Sequence, residues 1–397
     1  MSQNQDLEEY NALTATLLAF YNYHVWEYDH IVQPRRMKYA SLKEEEKKLL
    51  NWYGKFTDDL QLCIGINQQF TQSLAVSVAS DWGVPSDPQK WHPASANEFE
   101  KVRSTLLQLS REWSSDGLRE REIANGRIID KLVQLFPDES ERQNIKIVVP
   151  GCGLGRLVVD LVRQGFWCQG NEFSYHMLLT SNFILNHSKF ANLHSIMPFL
   201  HKSSHVVKRS NQIRPITVPD STPMDIHELQ LKKPEIPYDE LMSMTAGSFV
   251  DLYGPKDLSS TTHYTTDEVA QGFRETNVEN YDVVATTFFL DTANNVIDYI
   301  KTIHYCLKPG GLWLNFGPLL WHFEDDFNIR IMQNNNEQVS HIMKGLELSR
   351  DDLIDLIKKC GFQFEAHESN IESTYSSDVR SLGAFVYKCE YWVCRKI

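Results

Sequence analysis

Hydrophobic residues in the first third of the chain recur at helical spacing. Leu13, Leu17, Leu18 and Phe20 open the pattern, and Tyr21, Tyr23, Trp26 and Tyr28 extend it. Pro34 interrupts the run, since it lacks an amide hydrogen and its ring crowds the preceding turn. Ser41 followed by Glu44 reads as a capping box that starts a second helix through Leu60 towards Val78, with Gly65 as a candidate break. Between Asp81 and Pro93, three prolines, one glycine and two tryptophans predict an ordered loop. Helices are then expected over 96–113 and 117–135.

The pattern next shortens to strand length. Ile145, Lys146, Ile147, Val148 and Val149 form a β-branched run that reads as a buried strand, and Phe166 to Gly170 reads as a second strand ending at Asn171-Glu172. Helices are predicted after each, over 157–164 and 174–186. Strand, turn, helix, strand, helix is the opening of a parallel α/β sheet. The stretch 192–237 is rich in Pro, Ser, His and Lys and reads as an insertion with little regular structure beyond a short strand at Ile216–Asp220. Order resumes at 243–253, and 254–280 reads as a polar loop with a short helix. Further strands are expected at 281–289, 312–316, 362–368 and 384–395, with helices over 294–307 and from Ser349 to Cys360. Lys308-Pro309-Gly310-Gly311 reads as a tight turn. The expected division is a helical region over 1–115 and an α/β domain over 116–397, with an insertion around 192–240.

Composition narrows the classes. Hydrophobic content of 42% and charged content of 23% fit a globular protein. A net charge of -13 disfavours nucleic acid as a partner. Seven cysteines without a CxxC pair argue against a zinc site or disulfide framework and suit a reducing compartment. No apolar run of about 18 residues predicts a membrane span. The polar N-terminus resembles neither a signal nor a transit peptide, which leaves cytoplasm or nucleus as the expected location.

The glycines after the first strand carry the first chemical signal. Gly151, Gly153 and Gly155 form GxGxG, with Arg156 where a dinucleotide-binding fingerprint would place its third glycine. The tighter spacing is typical of proteins that bind S-adenosylmethionine (SAM), which has no pyrophosphate to cradle. Glu172, 21 positions after Gly151 and at the end of the second strand, is placed to accept both ribose hydroxyls. Val149 departs from the acidic residue many such enzymes carry two places before the first glycine. The expected fold is therefore a Rossmann-like, class I SAM-dependent methyltransferase: a mainly parallel seven-stranded sheet with an antiparallel last strand, plus the N-terminal helices.

On the acceptor side, Asp291 follows the predicted strand at 281–289, and His322 follows the one at 312–316. Both lie at the carboxyl edge of the sheet, where open α/β sheets bind ligands. Asp291 reads equally as a helix N-cap. His201 and His205 are four residues apart but have no acidic or Cys partners, so no metal is expected there.

Longer strings resemble one family, the carnosine N-methyltransferases: VPGCGLGRL (149–157), QGNEFS (169–174), SNFILN (181–186), QIRPI (212–216), SMTAG (243–247), FFLDTANNVIDYI (288–300), LKPGG (307–311) and GPLLWHFED (317–325). The resemblance runs from about Glu98 to the end. It implies transfer of a methyl group from SAM to the imidazole π nitrogen of carnosine, β-alanyl-histidine, giving anserine, with other short histidine peptides as further acceptors. It implies SAM contacts at Gln108, Arg111, Gly151, Glu172, Phe249 and Thr287, alongside Gly153 and Gly155 of the turn. Ser248 stands where the family commonly has Asp, so a carboxylate to the adenine amine is missing, and Thr287 replaces a cysteine. For the dipeptide it implies Asp291, His322 and Tyr387.

These residue types suit the chemistry. A free imidazole, with a pKa of about 6.5, is largely neutral near pH 7 and needs a fixed tautomer more than a strong base. Attack by one ring nitrogen requires the proton on the other, and Asp291 or His322 could hold that N–H. Phe288 and Tyr387 could wall the ring. The rival readings are methylation of protein histidine or another small amine, and a non-catalytic SAM-binding scaffold. A nucleic-acid methyltransferase is disfavoured further because Phe288-Phe289-Leu290-Asp291 stands where an NPPY-like tetrapeptide would be expected. Oligomeric state is left open, with a homodimer as one arrangement.

Overall fold

The computed structural model describes residues 3–256, 258, 268–326, 331–334, 337–340 and 345–397. Eleven strands occur among them: β1 (Lys146–Pro150), β2 (Trp167–Glu172), β3 (His194–Ile196), β4 (Ile216–Val218), β5 (Met242–Ala246), β6 (Tyr281–Thr287), β7 (Leu307–Gly317), β8 (Ile331–Asn334), β9 (Glu337–Ser340), β10 (Phe362–Ser373) and β11 (Tyr387–Lys396). Contacts divide the chain into two compact units. One holds 1–121, 174–228 and 374–386, and the other 122–173, 229–373 and 387–397.

The second unit contains a seven-stranded sheet in the order β10-β11-β7-β6-β1-β2-β5. β1 pairs in parallel with β2 and β6, β2 with β5, and β6 with β7; β11 runs antiparallel to β7 and β10. This is the expected mainly parallel sheet with a reversed last strand. The central strands read as unbroken apolar runs because they are covered on both faces: Ile147, Val148, Val283 and Val284 are fully enclosed. Val148 and Val284 join Trp313, Ile300, Ile303, Leu353 and Ile357 in one core. From β1 the chain proceeds outward to β2 and β5, and later fills the opposite side with β6 and β7. The order therefore reverses between β1 and β6, the position where open α/β sheets form a ligand crevice.

The first unit is built on the helices Gln3–Glu27, Tyr53–Ala79 and Ala96–Glu112, with β3 and β4 as an antiparallel pair. Ile31, Val32, Leu60, Cys63, Ile64, Met197 and Leu200 form one of its cores. Several local expectations shift. Pro34 does not end the first helical run, because a π-helical turn at Tyr28–Val32 precedes it and Pro34 falls in the first turn of Gln33–Ala40, where no amide hydrogen is needed. The capping box lies two residues later than expected: Glu46 accepts from the Lys43 amide at 2.8 Å, while the Ser41 hydroxyl donates back to the Lys38 carbonyl. The break before the long helix falls at 50–52, and Tyr53–Ala79 passes through Gly65 without interruption. The stretch 192–240 contains the expected short strand, β4, and more regular structure than expected beside it, namely β3 and helices at Arg209–Gln212 and Pro223–Lys232.

In the second unit, the LKPGG turn is an irregularity at the start of β7. The register with β6 jumps from Tyr281–Leu307 to Val283–Leu312, and Gly310 takes the left-handed φ of +75° that the kink requires. Part of the polar segment 254–280 lies outside the described residues.

Candidate active site

Beyond β1 the backbone enters the left-handed region at Gly151, Gly153 and Gly155, with φ of +61°, +58° and +82°. A side chain at Gly151 would also collide with its surroundings, since a Cβ there would lie 2.3 Å from Cδ2 of Phe289. Glu172, at the end of β2, is fastened to this turn. Its Oε2 accepts from the Gly153 amide at 2.9 Å and its Oε1 from the Phe173 amide at 2.8 Å. The helix Arg156–Arg163 starts directly after Gly155.

Ser248 follows β5 and caps the short helix Phe249–Tyr253, its hydroxyl accepting from the Asp251 amide at 3.4 Å. Serine thus performs locally what an aspartate there would also perform. Phe249 is buried and meets Phe289 edge-to-face at 5.7 Å. Thr287 is the last residue of β6, paired with Phe316 of β7.

After β6 the chain bends sharply. Phe288 has a φ of +50°, uncommon for a residue with a side chain, and is held there by its amide donating to the Phe316 carbonyl at 2.8 Å. Its ring meets Phe316 at 5.8 Å and Tyr387 at 6.2 Å. Asp291 sits in the following turn, 3% exposed. It is not the helix cap that the sequence allowed, because Asn295 caps Val296–Cys306 by accepting from the Ile297 amide at 3.0 Å. Instead Asp291 Oδ2 accepts from the Leu320 amide at 3.0 Å, and its backbone carbonyl accepts from the His322 amide at 3.0 Å. One residue thereby anchors the whole loop after β7 by two hydrogen bonds. Burial pushes the Asp291 carboxyl up to about 6, against the opposing pull of the Leu320 amide and His322. The His322 side chain is exposed. Tyr387 opens β11 half-buried; desolvation and the nearby Asp291 raise its phenol above the usual range.

The second unit therefore brings together Gly151, Gly153, Gly155 and Glu172 at one strand end, and Phe288, Asp291, His322 and Tyr387 at the next. Gln108 and Arg111 belong to the first unit, on the helix Ala96–Glu112. There Gln108 Nε2 donates to Glu112 at 3.1 Å, and the Arg111 guanidinium lies 4.5 Å over the Tyr375 ring. Arg111 Nε lies 3.6 Å from Glu120. Glu120 also accepts from the Ser376 and Ser377 amides at 2.9 and 3.0 Å and from the Thr374 hydroxyl.

Sequence reasoning missed Glu120, whose partners lie more than 250 positions away, and the ring pair Phe289–Tyr299, stacked at 4.6 Å. Within FFLDTANNVIDYI, Phe289 and Tyr299 are ten positions apart, and nothing local to either signals the contact.

A glycine turn with left-handed φ, a following helix N-terminus and a carboxylate fixed at the next strand end fit the ribose and methionine portions of SAM. The Gly153 and Phe173 amides fix the Glu172 carboxylate beside the glycine turn. Fold and site define a class I SAM-dependent methyltransferase. A family model described as carnosine N-methyltransferase matches residues 88–397. The chain belongs to that family, and SAM is the methyl donor. Proteins named carnosine N-methyltransferase are similar throughout. The one from Schizosaccharomyces pombe is 35% identical, over 98% of this chain and 97% of its own. The one from Mus musculus is 35% identical, over 90% and 80%. The one from Dictyostelium discoideum is 31% identical, over 98% and 76%. Among solved structures, a putative SAM-dependent methyltransferase from Listeria monocytogenes aligns with 67% of this chain and 97% of its own, at 11% identity and a TM-score of 0.33. A family of this kind acts on a small-molecule acceptor. No helix among the described residues is long and apolar enough to cross a membrane.

Proposed function

We propose that the chain methylates the imidazole π nitrogen of carnosine, giving anserine, and accepts related short histidine peptides. The observation that carries this reading is Asp291: a buried carboxylate beyond β6, one oxygen held by the Leu320 amide, bordered by the exposed His322 and the half-buried Tyr387. SAM supplies an electrophilic methyl group. Gly151, Gly153, Gly155, Glu172, Ser248, Phe249 and Thr287 hold it in this reading, and the family resemblance assigns Gln108 and Arg111 to it as well. Glu172 takes the ribose hydroxyls. Ser248 supplies no carboxylate to the adenine.

The residues of the acceptor side fix the imidazole. Asp291 accepts the N–H of the τ nitrogen, which leaves the π nitrogen with its lone pair as the nucleophile. As the ring becomes an imidazolium, the carboxylate stabilises the developing charge in a site shielded from water. Phe288 and Tyr387 wall the ring, and His322 contacts the dipeptide from the loop that Asp291 anchors. Aim supplies much of the remaining rate enhancement, because the attacking nitrogen must be held at about 3–3.5 Å from the methyl carbon. The acidic net charge favours a small peptide over nucleic acid as partner. Its free, scattered cysteines suit a reducing compartment such as cytoplasm or nucleus.

The test is a methylation assay with labelled SAM and a panel of carnosine, Gly-His and a protein extract, read by mass spectrometry. Carnosine is expected to be the best acceptor. Label appearing only in protein would replace this reading with protein-histidine methylation.

A further inference from the structure

Phe289 and Tyr299 touch both halves of the site. Their rings stack at 4.6 Å and 13°, and Phe249 closes the group edge-on, 5.7 Å from Phe289 and 6.1 Å from Tyr299. On the donor side, the Phe289 ring occupies the space that a side chain at Gly151 would need. On the acceptor side, the Phe289 carbonyl accepts from the Thr292 hydroxyl at 2.6 Å and from the Thr292 amide at 3.1 Å. Those two bonds close the turn that contains Asp291. Tyr299 thus holds Phe289 through the ring stack. The glycine turn and the Asp291 turn cannot move independently while this pair is intact.

We infer that Phe289 and Tyr299 are positioning residues that set the separation between the donor turn and the Asp291 carboxylate. The inference rests on the reading of Asp291 and the glycine turn given under Proposed function. Core packing alone would ask only for apolar volume at these positions. It would not need Phe289, two residues before Asp291, to fit against a glycine so closely that no Cβ is tolerated. A shift of about 1 Å between reacting groups can cost on the order of a hundredfold in rate, so a device that fixes this separation matters more to turnover than to binding.

The experiment has two arms, both on the full chain. In the first, Tyr299→Leu keeps apolar volume and removes the ring that stacks on Phe289. With carnosine, kcat per folded molecule should fall about tenfold while the SAM Kd stays near that of the parent, and a fraction of product methylated on the τ nitrogen should appear. Unchanged kcat and unchanged product would overturn the inference. In the second, SAM affinity is measured by calorimetry for Gly151→Ala, Phe289→Ala and the double variant. Gly151→Ala should weaken SAM strongly, and removing the ring should restore part of that loss, so the double variant binds SAM more tightly than Gly151→Ala alone. Strictly additive losses would overturn the inference as well. If the parent chain does not methylate carnosine, the reading of its function falls while the SAM-binding cycle still decides the role of the stack. Tyr299→Leu decides the matter should Phe289→Ala fail to fold.

Discussion

Asp291 and Glu27 are two buried carboxyls pushed upward by the same cause, and their surroundings give them different meanings. Burial raises Asp291 to about 6 and Glu27, 2% exposed, to about 8. Glu27 lies in the helical unit and is closed off. Asn67 Nδ2 lies 3.2 Å from each of its oxygens, the Tyr23 phenol is close enough to interact with it electrostatically, and the Met197 amide donates to Asn67 Oδ1 at 2.8 Å. All three neighbours are buried. Asp291 is bordered by a loop whose Leu320 and His322 are exposed, and by half-buried Tyr387. A raised carboxyl pKa therefore does not mark a site by itself. What marks one is a raised carboxyl whose partners lead to the surface.

The strongest way to break this contrast is to neutralise each acid in turn. Asp291→Asn should lower kcat for carnosine by about two to three orders of magnitude, as removal of a preorganised charge-stabilising group does elsewhere. SAM titration should remain close to that of the parent. Full turnover by this variant would remove Asp291 from the mechanism. Glu27→Ala should do the opposite: it leaves the buried Asn67 amide without its partner and should cost about 1–3 kcal/mol in chemical denaturation, with kcat per folded molecule unchanged.

The two acids should also separate by pH. Glu27 has a folded-state pKa above its unfolded value, so its contribution to stability is full at acidic pH and is lost as pH rises from about 4.5 through about 8. Glu27→Gln should flatten that decline in denaturation curves taken between pH 5 and pH 9, pH values set by this window. The same sign holds for the stability contribution of Asp291, but its activity runs the other way. Only the ionised carboxylate carries the charge that stabilises the forming imidazolium, so kcat/KM should fall as pH drops through about 6, where the acceptor imidazole also begins to protonate.

Smaller effects sharpen the acceptor side. His322→Ala removes an exposed side chain from a loop anchored by its backbone, so the KM for carnosine should rise about tenfold with kcat little changed, the pattern of a lost ground-state contact. Smallest is Ser248→Asp. Either residue caps the helix after β5, so stability should change by less than about 0.5 kcal/mol. SAM affinity should rise several-fold as the new carboxylate reaches the adenine amine. An unchanged Kd would leave position 248 as a cap only.

Elements with local causes were legible in the chain. β1 and β6 announce themselves as apolar runs because both faces are covered, and GxGxG announces its turn because left-handed backbone restricts the residue type. Asn295, four residues beyond Asp291, shows the limit: two polar residues near a helix start compete for the cap, and only the packed chain decides between them. Ser41 and Gly65 misled for a related reason. A cap motif holds only where the chain leaves the helix, and a glycine within 27 residues of packed helix costs about 1 kcal/mol, too little to break it. Asp291 and His322 were singled out by position at the sheet edge and by family resemblance, while their link through the loop after β7 was not visible. The Glu120 cluster was invisible because its hydrogen bonds join residues 254 to 257 positions apart.

The account turns on which imidazole nitrogen Asp291 leaves exposed, and nuclear magnetic resonance of the reaction product reads this directly. The chain incubated with SAM and carnosine is predicted to yield a single isomer carrying the new methyl on the π nitrogen. A methyl group on the τ nitrogen, or on the β-alanyl amine, would contradict it.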